Sequence, residues 1–163
     1  MKKTLQAVNC LLEKGIIQNY AIAGGMAQFY YIEPSITYDL DLVINIRDIK
    51  DSLNPLGEIY KWADENQFIL DREHFIIEGI PVQFLIAYND LISEALLNAT
   101  GVVLFDENTF ILKAEYLMAI MLQTGRLVDK ERFARFIQEA EYDEEILESL
   151  IRKYNLQRPL SFK

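Results

Sequence analysis

Residues 20–46, YAIAGGMAQFYYIEPSITYDLDLVINI, restrict the possible folds more than any other stretch of the chain. A short apolar run leads into a double glycine, an apolar-aromatic segment ends at Pro34, and a second β-rich run opens with two aspartates. Proline cannot sit inside a helix and pushes Glu33 out of helical geometry, so the order is strand, turn, short helix, loop, strand. Side chains alternate along a strand, which puts Asp39, Asp41, Val43 and Asn45 on one face and Leu40, Leu42, Ile44 and Ile46 on the other. Two carboxylates then stand side by side. They repel each other and gain from a shared cation, and hard oxygens on a rigid strand suit Mg²⁺. Gly24 and Gly25 fall where strand becomes helix, where missing β-carbons and a helix N-terminus favour phosphate. A Gly-Gly pair alone is most often a tight turn, and Asp-x-Asp is common on surfaces. A metal site beside a phosphate site points to a nucleotide.

Charge narrows the ligand further. The net charge is -9 and the pI about 4.6, whereas binding a long nucleic acid through its backbone needs a basic surface. A small nucleotide remains compatible, because a divalent metal offsets the repulsion locally. A length of 163 residues with 51% hydrophobic content makes one globular domain with a real core. The first segment, MKKTLQAVNCLLEKG, is spaced as an amphipathic helix interrupted by polar residues, so neither a signal peptide nor a membrane span is expected. Cys10 is the single cysteine, expected on that helix's buried face, and a reducing cytoplasm is the expected compartment.

Leu5, Val8, Leu12 and Ile16 form the first helix's stripe, with Gly15 as its stop. Phe29, Tyr30 and Tyr31 read as packing residues. Asp48 is suited to cap a short helix that Asn54-Pro55 interrupts, followed by a stripe of Leu56, Ile59, Tyr60 and Ala63. Residues 68–87 are strand-like, with Glu78-Gly79 as a hairpin turn and Pro81 near the start of the last of these strands. His74, the only histidine, is a candidate base or ligand, although beside Glu73 a solvated role is the commoner one. A helix from Asn89 to Leu97 and a strand at 102–105 complete the expected sheet. Helices over 113–124, around Phe133 and Phe136, and after Asp143 close the chain. The reading is an α+β domain over 1–163, with a sheet-containing core over 1–108 and a helical subdomain over 109–163.

Gly24-Gly25, thirteen residues, and then Asp39-Leu40-Asp41 resemble the signature of the nucleotidyltransferase superfamily with its polymerase-β-like fold. The likeness extends through residues 81–85, PVQFL, and residues 123–129, QTGRLVD. The chain looks most like small bacterial nucleotidyltransferase-like proteins, near the abortive-infection toxins of type IV toxin-antitoxin systems. The resemblance implies that Asp39 and Asp41 ligate Mg²⁺ and that Gly24 and Gly25 hold phosphate. It also marks departures. Active members carry a third carboxylate on a neighbouring strand, and the equivalent position here is Gln83, which offers an oxygen but no charge. The toxins' helix lysine corresponds to Met121, and their lysine-aspartate pair to Val128-Asp129. Arg126 or Lys130 would then have to meet the phosphate charge, against the alternative of a merely solvated face.

These expectations support two functions. One is an enzyme that binds a nucleoside triphosphate with Mg²⁺ and transfers a nucleotidyl group to an acceptor the sequence does not identify, with protein and tRNA as candidates. The other is a catalytically weakened nucleotide-binding or protein-interaction module, disabled by Gln83. A toxin-antitoxin role is compatible with either.

Overall fold

The computed structural model describes residues 1–32, 37, 39–46 and 54–158. The elements in chain order are α1 (Lys2–Glu13), β1 (Asn19–Ile22), α2 (Gly24–Tyr31), β2 (Leu40–Asn45), α3 (Gly57–Glu65), β3 (Ile69–Asp71), β4 (His74–Ile77), β5 (Ile80–Ile86), α4 (Asp90–Leu97), β6 (Thr100–Leu104), β7 (Glu107–Ile111), α5 (Ala114–Thr124), α6 (Leu127–Glu139) and α7 (Glu144–Lys153). The expected capping helix after Asp48 and the loop at Pro34 lie outside the described residues.

The strands form one mixed sheet in the order β3-β4-β5-β2-β1-β7-β6. Its centre is β2, antiparallel to β1 and parallel to β5. Residues 69–86 make two successive hairpins, and both turns need positive φ: Arg72 at the first (+56°), Glu78 (+52°) and Gly79 (+80°) at the second. Leu40, Leu42 and Ile44 are fully buried on one face of β2, continuous with Val82 and Phe75 on the neighbouring strands. α3 contributes Ile59, Trp62 and Ala63 to this core and places Tyr60 against Phe75.

Strand β7 departs from the sequence reading, in which the sheet ended near Phe105. It crosses the expected core boundary at residue 108 and pairs in parallel with β1 through Ile22 and Ile111. Three smaller expectations also change. Cys10 is only partly buried, because Thr4, Leu5, Val8 and Leu11 make the inward face of α1. Phe29 and Tyr30 are exposed, leaving Tyr31 to pack and donate its hydroxyl to the Leu112 carbonyl. Tyr60 is partly exposed, with Trp62 taking the buried position.

The last three helices form as expected. Gly125, at φ +64°, ends α5 in the left-handed conformation that glycine tolerates best. Asp143 caps α7 by accepting from the Glu145 and Ile146 amides. α5 packs on α4, α6 and α7. α7 is also tied to α4, because Glu94 accepts from Lys153 Nζ at 2.5 Å and from the Tyr154 hydroxyl. Among the described residues no helix is long and apolar enough to cross a membrane.

Candidate active site

The β1–β2 pairing runs up to the double glycine, where the Ala23 amide donates to the Asp41 carbonyl at 2.8 Å. This hydrogen bond sets the start of α2 directly against the aspartate strand. Gly24 has φ +56°, and a β-carbon there would lie 1.9 Å from Asp41 Oδ2. A β-carbon on Gly25 would lie 2.6 Å from Thr37 Oγ1, the hydroxyl that donates to Asp39 Oδ1 at 2.8 Å. Each glycine thus makes room for one aspartate, Gly24 directly and Gly25 through Thr37. The glycine pair and the Asp-x-Asp strand are one packing unit.

Asp39 and Asp41 line the same polar cleft of about 460 Å³, together with Gly25, Thr37, Asp71, Arg72, Glu73, His74 and Arg132. Burial raises the Asp41 pKa above the ordinary carboxylate value, and the charge of Asp39 raises it further, while His74, Arg132 and Arg126 pull it back. Asp41 also borders an apolar cavity of about 470 Å³. Its walls include Val43, Phe84, Ile86, Ile92, Leu117 and Ile120, and its polar rim is Gly24, Asp41, Thr124, Arg126 and Arg132. Asp41 and Arg132 belong to both spaces.

The rim is built by the turn between α5 and α6. Asp129 is buried and accepts from Thr124 Oγ1 at 2.7 Å, from Arg126 Nε at 2.6 Å and from Arg126 Nη2 at 3.1 Å. Arg132 Nη1 lies 3.8 Å from Asp129 Oδ1, the oxygen that also accepts from Arg126 Nη2. Burial alone would raise the Asp129 pKa, but the hydrogen bonds from Arg126 and Thr124, with the charges of both arginines, carry it below the ordinary range. The same partnership raises Arg126 above its usual value.

The structure brings together Gly24, Gly25, Asp39, Asp41 and Arg126. Gln83 sits beside Asp41 in the β2–β5 register, on the same face of the sheet, but lines neither the cleft nor the cavity. Lys130 is exposed and also lines neither. The sequence reading offered Arg126 or Lys130 as the charge that meets phosphate. Arg126, however, is the residue before α6 begins, and Arg132, three residues beyond Asp129, is the one that turns inward. Arg132, Thr37, Asp71 and Arg72 were not singled out from sequence. The available signal was the i, i+3 spacing of Arg126, Asp129 and Arg132.

Asp39 and Asp41 are a pair of carboxylates that could together hold a divalent cation. The fit is that of two carboxylates sharing one cleft and repelling each other. Among the described residues no group of three histidine, cysteine, aspartate or glutamate side chains is close enough to hold one.

Sequence comparison finds no matching family model and no matching curated protein. Structural comparison does find solved structures with a similar fold. An antigenic nucleotidyltransferase-like protein from Paracoccidioides brasiliensis is 15% identical with a TM-score of 0.57, covering 93% of this chain and 84% of that one. The antibiotic-resistance factor ANT(2'')-Ia, solved in solution, is 12% identical with a TM-score of 0.53, over 93% and 89% of the two chains. Its crystal structure in complex with adenylyl-2''-tobramycin gives 13% identity and a TM-score of 0.54, over 94% of each. These likenesses cover 93–94% of this chain, and the chain adopts the nucleotidyltransferase fold.

Proposed function

We propose that this protein binds a nucleoside triphosphate with Mg²⁺ and transfers its nucleotidyl group to an acceptor, as an enzyme in which Asp39 and Asp41 hold the metal. One observation carries the reading: both aspartates line a single cleft at the start of α2, Asp41 directly against Gly24 and Asp39 held by Thr37, which packs on Gly25. Bound there, Mg²⁺ would neutralise phosphate charge and stabilise the leaving pyrophosphate. Gly24 and Gly25 lie at the start of α2, where backbone amides favour phosphate. Arg126 and Arg132 bring positive charge to the rim, with Asp129 fixing Arg126 in a two-point grip. The apolar cavity beside them matches a nucleoside in character and size, since small-molecule sites are mostly apolar with a few placed polar groups. Protein or tRNA acceptors, a cytoplasmic setting and a toxin-antitoxin role are compatible with this chemistry.

A second reading has a specific observation behind it. Gln83 occupies the register position beside Asp41, and no third acidic ligand accompanies the pair among the described residues. A nucleotide-binding module that no longer transfers would look like this. Calorimetry with the four nucleoside triphosphates, with and without Mg²⁺, followed by pyrophosphate release, separates the two. The enzyme reading expects Mg²⁺-dependent binding in wild type, pyrophosphate release with cell extract as acceptor source, and loss of release in Asp41→Asn. Binding without release in wild type establishes the module. Release that persists in Asp41→Asn refutes the metal mechanism.

A further inference from the structure

We propose that His74 takes the proton from an acceptor hydroxyl that enters through the polar cleft; this rests on the nucleotidyl-transfer reading above. The register carries it. Asp41 lies beside Gln83 across β2–β5, and Phe75 and Ile76 pair with Val82 and Pro81 across β4–β5, so continuing the ladder by one step brings His74 beside Gln83. On the far strand Asp71 pairs with His74. Directly opposed residues share a face of the sheet. Asp71, His74, Gln83 and Asp41 therefore form one row across four strands.

Within that row His74, not Gln83, lines the cleft with Asp39 and Asp41. It stands near enough to Asp41 to bear on that carboxylate electrostatically. The chemistry also separates the two, because a neutral amide does not accept a proton near neutral pH whereas imidazole does. The other charged groups of the cleft facing His74 are Asp71, Arg72 and Glu73 from its own hairpin, Asp39 just before β2, Asp41 from β2, and Arg132 from α6. With the nucleoside in the apolar cavity, the polar cleft is the open approach to the α-phosphate. The acceptor oxygen forms a bond to the α-phosphorus. The bond from that phosphorus to the bridging oxygen breaks, and pyrophosphate leaves with the electron pair. The hydroxyl proton passes to the imidazole and then to solvent.

The test measures pyrophosphate release from each Mg²⁺-nucleoside triphosphate, with unfractionated tRNA and cell extract as hydroxyl sources, for wild type, His74→Gln, Glu73→Gln and Asp41→Asn. Nucleotide affinity is measured alongside by calorimetry. His74→Gln is expected to lower turnover by about 100-fold or more while nucleotide affinity stays within about twofold. Wild-type turnover should fall in acid, as it does for any transfer that needs an unprotonated base, and that fall should vanish in His74→Gln. If His74→Gln keeps the wild-type rate and pH profile while Asp41→Asn abolishes release, His74 is not the proton acceptor and the transfer reading stands. Loss confined to Glu73→Gln moves the role to Glu73 and overturns the proposal. So does a His74→Gln protein that has lost nucleotide binding, since imidazole then serves binding rather than proton transfer. No release by wild type with any nucleotide overturns the transfer reading and this inference with it.

Discussion

Asp41 is a carboxylate held where its charge is disfavoured by burial and by Asp39. A raised folded-state pKa means that the metal-free protein is penalised at neutral pH, where Asp41 is ionised in both folded and unfolded chains. As pH falls through the raised value, Asp41 protonates first in the folded state and the penalty disappears. Asp41→Asn should therefore raise the melting temperature of metal-free protein near neutral pH, and the gain should shrink in the acid range. Adding Mg²⁺ should reverse the order, because only wild type retains the charged pair that binds it. Thermal denaturation of both proteins at acid and neutral pH, with and without Mg²⁺, checks all three statements. An identical Mg²⁺ response in the two proteins would exclude Asp41 as a ligand. The paired aspartates and glycines were legible in the sequence because alternation and turn chemistry are local rules. Their mutual packing was not legible, since the approach of Asp41 Oδ2 to Gly24 depends on how β1 and β2 pair.

Among the elements, the turn from α5 to α6 does most to shape the site. Gly125 reverses the chain, Thr124 and Arg126 close on Asp129 from either side, and the buried carboxylate binds the turn to the first residues of α6. Asp129→Asn removes the charge those groups share and should cost about 1–3 kcal/mol, the usual range for disturbing a buried, hydrogen-bonded polar group. The pH dependence has the opposite sign to that of Asp41. A lowered folded pKa contributes stability above the ordinary carboxylate range and loses it as pH falls through the lowered value. Denaturant titrations of wild type and Asp129→Asn should therefore converge in acid, and a stability difference independent of pH would show that packing rather than charge holds the turn. Element by element, strands rich in β-branched residues and helices with one-sided stripes could be read in advance. β7 could not, because Glu107, Asn108 and Thr109 read as loop. Their polarity is accommodated by partners distant in sequence: Gln6 donates to Glu107, Asn9 to the Asn108 carbonyl, and Thr109 meets the Tyr20 hydroxyl.

Over the whole molecule, an acidic protein presents its positive rim where two spaces of different character meet at Asp41 and Arg132. That arrangement divides the proposed reaction between them, with the nucleoside on the apolar side and the acceptor on the polar side. Fold likeness alone does not assign either side, since proteins sharing a fold differ in what they bind. Ile120 offers a direct way to test the division, because it lines the apolar cavity from α5 and is only partly buried. Ile120→Trp should fill much of the space without opening a void or burying an unpaired charge, and moderate overpacking costs about 1–3 kcal/mol, so a folded protein is expected. Nucleoside triphosphate affinity should then drop by at least about tenfold, the equivalent of losing roughly 1.4 kcal/mol of binding. Binding of Mn²⁺ or Mg²⁺ alone should be unchanged, because Asp39 faces the polar cleft and Asp41 is reached from that side as well. Calorimetry reads both affinities on the same preparation. If Ile120→Trp binds nucleotide as tightly as wild type, the nucleoside lies outside the apolar cavity and belongs in the polar cleft with the phosphates, which would turn the proposed acceptor approach around.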